Sequence, residues 1–419
     1  MQNKKERCIL MSKINPDMKM GELLETYPET AAVFKANGFP ANTKEELLEL
    51  LSPQLMLKTA LKVKEMNETL FISLLEEKIA EIKCIGSFQE SDKARGKADF
   101  LGYTYCPIKD IFKEAFERVL KAYLTESQDG DFQYFVPSGC GEDDPYEEIW
   151  KADTIEDFPD VTVAAGFGDF FRPEFVDKFV KKGYFKSVNY QQVHSTFSAV
   201  NYEDPQGWYT PYSVLPIVML IDWKKLGNLP VPKQWSDLLN PIYHNNIIIG
   251  ASQEDIYEDI LLHTYKEYGD EGIIKLAANV KDGLHGAQMA KLAGTANSQG
   301  AAIYVIPWLF AKACPRVKET MIVWPADGAI ITPMYLLVKA KQEKQLQPFI
   351  DFVMGAEYGQ KSADNCFPVL NPHVDNKLPD NASFKWLGWD YIRDHSMEEL
   401  KEHVIAVFKK VWRKNEEAS

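Results

Sequence analysis

The chain has 419 residues, enough for two or three domains, with ordinary apolar (45%) and charged (26%) fractions for a globular protein. A formal net charge of −14 argues against a nucleic-acid or anionic-membrane surface as the main partner. No apolar run approaches the roughly 20 residues of a membrane span. The six cysteines, Cys8, Cys84, Cys106, Cys140, Cys314 and Cys366, form no CxxC and suggest no disulfide framework. The basic N-terminus, MQNKKERCILMSK, contains only a short apolar run where a secretory leader needs roughly 7–15 residues. The expected setting is cytoplasmic, with reduced thiols.

Residues 14–80 read as a small all-helical unit. Short helices are expected over Gly21–Tyr27 and Glu29–Asn37, the second closed by Gly38. Thr43 and Glu46 form a capping box before a leucine-rich helix. Ser52-Pro53 reads as a further start, and Asn67 caps a last amphipathic helix. Residues 81–98 are polar and read as a linker. From Asp99 the pattern becomes alternating strands and helices. Strands are expected at Phe100–Tyr105, Phe132–Val136 and Val161–Ala165, with an amphipathic helix over Ile108–Leu124. Further strands are expected at Thr196–Asn201, Val214–Ile221, Asn246–Gly250, Ala301–Ile306, Met321–Trp324 and Met334–Val338. Helices are expected at Glu254–Tyr268, Ile273–Val280, Ala287–Leu292, Gln345–Met354 and Met397–Trp412. This order means an α/β fold with a largely parallel sheet, whose strand C-termini face any ligand.

Residues 26–39, TYPETAAVFKANGF, followed by a capped helix pair, resemble the short helical domain at the N-terminus of iron–sulfur-repair and hybrid-cluster-associated redox proteins. The cysteines that usually follow Gly-Phe there are replaced by Pro40-Ala41-Asn42, so the segment reads as a partner-docking module. Residues 99–412 resemble a type II solute-binding protein of an ABC importer, in the iron(III), phosphonate or sugar-phosphate branch. Four stretches carry this: DWKKLGNLPVPKQWSDLLNPIY (222–243), NNIIIGASQ (245–253), WPADGAIITP (324–333) and FIDFVMGAEYGQ (349–360). The resemblance implies a two-lobed periplasmic-binding-protein fold. Lobe one would be 99–221 with 332–419, lobe two 222–331. The chain would cross between them at 222–243 and 324–333, and hinge closure would bury a small polar ligand or metal complex. The tyrosine pair of the iron branch is reduced here to Tyr304. The implied partners are the solute, a protein docking on 14–80 and an ABC permease.

Candidate ligand contacts gather at strand ends and crossings: Tyr103, Cys106, Gly139, Cys140, Gly168, Asp169, Tyr212, Ser252, Tyr304 and Asp327. The loops at Gly139–Gly141 and Gly166–Gly168 offer backbone N–H groups to an anion. Cys106 and Cys140 stand at neighbouring strand ends, where strands about 5 Å apart let two thiols meet. They read as soft-metal ligands, with His194 or His285 completing the set, as nucleophiles, or as small apolar fillers. No resident cofactor is expected beyond such a metal. Three functions follow: a solute-binding protein, as cytoplasmic sensor or carrier or as importer component; a cysteine-dependent enzyme on the same fold, as in thiaminase; and a metal or cluster chaperone.

Overall fold

The computed structural model describes residues 14–36, 39, 43–63, 71–72, 75, 97–126, 132–137, 144–252, 255–341 and 346–417. The chain forms two compact units, residues 1–95 with 137–146, and residues 96–136 with 147–419.

The first unit is helical among its described residues, with helices Met20–Thr26, Ala31–Ala36, Lys44–Leu51 and Leu57–Val63. Thr43 caps the third of these, its hydroxyl accepting from Glu46 N at 3.2 Å. Pro53 does not open a helix as expected: Ser52 adopts φ 57° and the next helix begins at Leu57. Phe34, Phe39 and Phe71 pack edge to face at the centre of a core that includes Met20, Leu23, Leu24, Leu47 and Leu61. The expected linker lies mostly outside the described residues.

The second unit is built on one open sheet of eleven described strands. They are β1 (Phe100–Gly102), β2 (Tyr134–Phe135), β3 (Val161–Ala165), β4 (Thr210–Asp222), β5 (Ile247–Ser252), β6 (Asp255–Ile256), β7 (Val280–Leu284), β8 (Ile303–Pro307), β9 (Thr320–Val323), β10 (Ala329–Val338) and β11 (Phe384–Lys385). The order is β2-β1-β3-β10-β4-β8-β5-β6, with β7 on β5, β9 on β4 and β11 on β10. β1, β2 and β3 are parallel, as are β5, β7 and β8. Three long helices pack on this sheet: α1 (Lys109–Glu126), α2 (Asp259–Asn279) and α3 (Met397–Glu417).

The two lobes meet on β4 and β10. Thr210–Ile217 of β4 pairs antiparallel with β10, Ile217–Ile221 pairs with β8, and Met219–Asp222 pairs with β9. All thirteen residues of β4 are buried, so the strand shows no polar alternation. β10 pairs with β3 only through Met334–Val338 and with β11 only through Ala329–Ile330. Among the described residues Ile331–Pro333 therefore has a strand on one side alone, although Gly166 N donates to Pro333 O at 2.8 Å on the other. Proline removes a ladder donor and is tolerated where a strand edge has no partner. Pro333 falls in that gap, and Pro211 and Pro216 fall in the half of β4 that β8 does not reach. The crossings are thus the strands themselves. The 222–243 arm follows the first crossing and does not form it.

That arm contains a turn of helix at Trp223–Leu226 and 3-10 turns at Trp235–Leu239 and Pro241–Tyr243. It is stitched to the return stretch. Trp235 Nε1 donates to Gly328 O at 2.8 Å, and Trp235 N donates to Asp327 Oδ1 at 3.2 Å.

Several expectations change. Thr196–Asn201 is not a strand; Ser195–Ser198 forms a helical turn capped by His194. The helices expected at Glu254–Tyr268 and Ile273–Val280 are one element, α2, broken at Gly269 with φ 57°. Val280–Leu284 is strand β7, hidden in the sequence by Lys281, Asp282 and Gly283. α3 was assigned to lobe one, but it packs along α2. His403 and Asp270 pair at 2.7 Å, and the His403 and Tyr265 rings meet edge to face.

Candidate functional site

A groove of about 500 Å³ runs between the segment after β3 and the face of α3. Gly166-Phe167-Gly168 turns the chain there, Gly166 with φ 76°. Gly168 is exposed, and a Cβ there would meet nothing within 4 Å. Asp169 accepts from Arg172 Nε at 2.6 Å, and Arg172 also pairs with Glu398 of α3. The Arg172 guanidinium lies 4.4 Å from the Trp150 ring centre. Lys401 of α3 donates to Phe167 O at 3.2 Å and pairs with Glu258 at 3.2 Å.

Below that bridge, four elements converge. Asp259 opens α2, Thr332 stands in the unpartnered gap of β10, Tyr105 follows β1, and Gly166 follows β3. Thr332 Oγ1 donates to Asp259 Oδ1. A Cβ on Gly166 would lie 3.7 Å from the Tyr105 hydroxyl and 4.0 Å from the Thr332 methyl. Asp259 and Tyr105 keep some solvent exposure, yet their polar ends lie deep in the protein. Burial, then Glu258, raises the Asp259 carboxyl to about 7, against the lowering pull of Thr332 and Lys401. Burial, with Asp259 and Glu258, also raises the Tyr105 hydroxyl well above its ordinary value.

Of the expected contacts, the structure brings Gly168 and Asp169 to this groove. Ser252 ends β5 and pairs with Asp255, a short step from Glu258. The others stand elsewhere. Tyr103 rests its ring against Phe135 at 6.2 Å. Tyr212 is buried at the bulge of β4, its hydroxyl facing Tyr358 within lobe one. Tyr304 is the second residue of β8, its hydroxyl accepting from Ala301 N at 3.2 Å, and burial raises it to about 12. Asp327 is committed to Trp235 N and to Lys385 at 3.1 Å. Gly139 and Cys140 lie outside the described residues. Cys106 is disulfide-bonded. A disulfide sulfur carries no thiolate, so Cys106 in this state is neither a metal ligand nor a nucleophile, and reduced thiols were the wrong expectation for it. His194 and His285 are helix caps: their Nδ1 atoms accept from Thr196 N at 3.4 Å and Ala287 N at 3.3 Å. Among the described residues no three His, Cys, Asp or Glu side chains converge as a metal site.

Sequence reading missed Tyr105, Glu258, Asp259, Thr332 and Lys401. Thr332 had a signal, a polar residue within an apolar strand. Asp259 had another, a carboxylate at a helix start soon after a strand end. Lys401 had none, since its role depends on where α3 packs.

The sequence profile of the bacterial extracellular solute-binding proteins matches residues 156–395, more than half of the chain. The chain belongs to that family. Residues 14–72 of this solute-binding protein match a domain of unknown function (DUF1858). No curated protein matches at a significant level. Among solved structures, an ABC transporter protein from Clostridium perfringens is similar at 15% identity and TM-score 0.51, covering 75% of this chain and 99% of that one. A Bordetella ferric binding protein is similar at 11% identity, with the same coverage and TM-score. A Trichodesmium protein solved with iron and citrate is similar at 13% identity, TM-score 0.51 and the same coverage. At these identities the likeness establishes the two-lobed fold. Among the described residues no helix is long and apolar enough to cross a membrane.

Proposed function

We propose that this solute-binding protein closes its lobes on a small polar solute at the junction of Tyr105, Gly166, Asp259 and Thr332, and that it delivers the solute to an ABC permease. The observation that carries the reading is the bond from Thr332 on a crossing strand to Asp259 at the head of a lobe-two helix, beside the strand ends of lobe one. Groups from both lobes meet there, and hinge closure is the motion that brings such groups onto a ligand. The 14–72 domain serves as the docking module for a protein partner.

The disulfide at Cys106 favours an oxidising compartment over the cytoplasmic sensor or carrier role, because cytosolic thiols are kept reduced. It also removes the thiolate that a Cys106-based enzyme or metal chaperone would use. The test is native mass spectrometry of protein purified from its source, combined with the distance between spin labels at Leu124 in lobe one and Val317 in lobe two. Both side chains are exposed. A retained mass whose removal lengthens the distance is the expected result. A chain that never retains a solute and never changes this distance would reject the reading.

A further inference from the structure

The charge around Asp259 is unbalanced. Asp259 receives a hydroxyl hydrogen bond from Thr332, which satisfies a lone pair and neutralises nothing. The charged and titratable groups facing it are Glu258 beside it, Lys401 from α3 and Tyr105 from the segment after β1. Glu258 repels a carboxylate. Tyr105 stays protonated at neutral pH. Lys401 is shared between Glu258 and Phe167 O. A deep carboxylate without its own counter-ion is costly and is relieved by a proton or a cation. The rise of the Asp259 carboxyl to about 7 agrees with that geometry.

Buried aromatic side chains pack behind Phe167. The Phe167 ring stacks on Trp386 at 5.8 Å, and the Tyr202 ring meets Trp386 edge to face at 4.9 Å. Tyr202 in turn bears on Tyr105. Trp386 is 8% exposed, and its Nε1–H has no acceptor among the described residues. A buried donor left without an acceptor is a position a bound solute can satisfy.

We infer that Asp259 determines specificity by taking a cationic nitrogen from the solute, a protonated amine set against the aromatic wall, with an acceptor on the same solute available to Trp386. This rests on the solute-binding reading above and adds the chemical class. The proton balance is explicit. In the empty cleft below about pH 7, Asp259 holds a proton. When the ammonium arrives, that proton leaves to solvent and the carboxylate pairs with the ammonium. Binding therefore releases a proton below pH about 7. Affinity should weaken roughly tenfold for each unit that pH falls below that value, and level off above it.

The test is calorimetry on the full chain with putrescine, butanediol and succinate, which share a carbon frame and differ in end-group charge. We expect putrescine to bind, more tightly at pH about 8 than about 6, with proton release at the lower pH. Asp259→Asn should lose both binding and pH dependence while circular dichroism stays native. Glu258→Gln, which leaves the carboxyl of Asp259 in place, should retain the pH dependence. The inference is overturned if succinate or butanediol binds as well as putrescine, if putrescine affinity is flat with pH, if Asp259→Asn binds undiminished, or if putrescine fails to bind a chain that closes on the solute carried from its source. A chain that closes on nothing would instead reject the solute-binding reading.

Discussion

Two buried titratable groups on one helix pull stability in opposite directions. Asp259 holds its proton more tightly in the folded state, with a value near 7, than in the unfolded chain. Its contribution is complete below about pH 4 and is lost as pH rises through about 7. His263, one turn on, is buried with Nε2 unpartnered among the described residues, and burial with Lys385 and Lys266 lowers it to about 3. It is neutral when folded and takes a proton when unfolded below about pH 6.5. Its cost therefore appears as pH falls from about 6.5 towards 3. Thermal melts across that range should show Asp259→Asn flattening the alkaline-side decline and His263→Gln flattening the acid-side decline. A wild-type profile unchanged by both substitutions would show that neither carboxyl nor imidazole differs between folded and unfolded states. Cys106 gives a third expectation at this scale. Reduction should cost about 2–4 kcal/mol, read as a lower melting temperature in dithiothreitol. The melting curve of Cys106→Ser should not respond to reductant in the same way.

Among the elements, the stitch between the 222–243 arm and the return stretch is the most exacting. Gly328 has φ 94°, and a Cβ there would lie 2.5 Å from Phe384 C and 2.7 Å from Phe384 O. Both the backbone conformation and the space forbid a side chain. Gly328→Ala should cost about 2–4 kcal/mol, measured by urea unfolding, and should loosen Trp235, whose indole donates to Gly328 O. Much of this architecture was legible. Alternating strands and helices pointed to β1, α1, β3, β5 and β8. The crossings themselves were misplaced because the Pro-rich arm is locally distinctive, whereas β4 is buried along its whole length and lacks a period. The useful sign was Pro216 and Pro333, prolines inside apolar strands, which mark where pairing lapses. β7 was lost because its polar residues suit a helix end, and only β5 beside it makes it a strand. The site was least legible. Its residues come from four elements far apart in sequence, and Lys401 reaches it through the packing of a helix that sequence assigns to the other lobe.

At the scale of the whole molecule, β4 and β10 run side by side, so together they define one flexible axis between the lobes. α3 is different. It lies along α2, a Cβ on Gly283 would lie 3.6 Å from its Trp412, and its first turns reach back to the segment after β3 through Arg172–Glu398 and Lys401–Phe167. A tie away from a hinge axis arrests rotation about it. Lys401→Ala should lengthen the distance between labels at Leu124 and Val317 in the empty protein. An unchanged distance would mean that the strands alone hold the lobes.

The same tie bears on kinetics. Arg172 and Glu398 are about one-third exposed, so salt screens their attraction. Under the proposed closure, a solute leaves only after this pair parts. Its residence time should therefore shorten as ionic strength rises, even for a solute whose own contacts carry no charge. Stopped-flow release in Glu398→Gln, fast and indifferent to salt, would identify the clasp as the slow step.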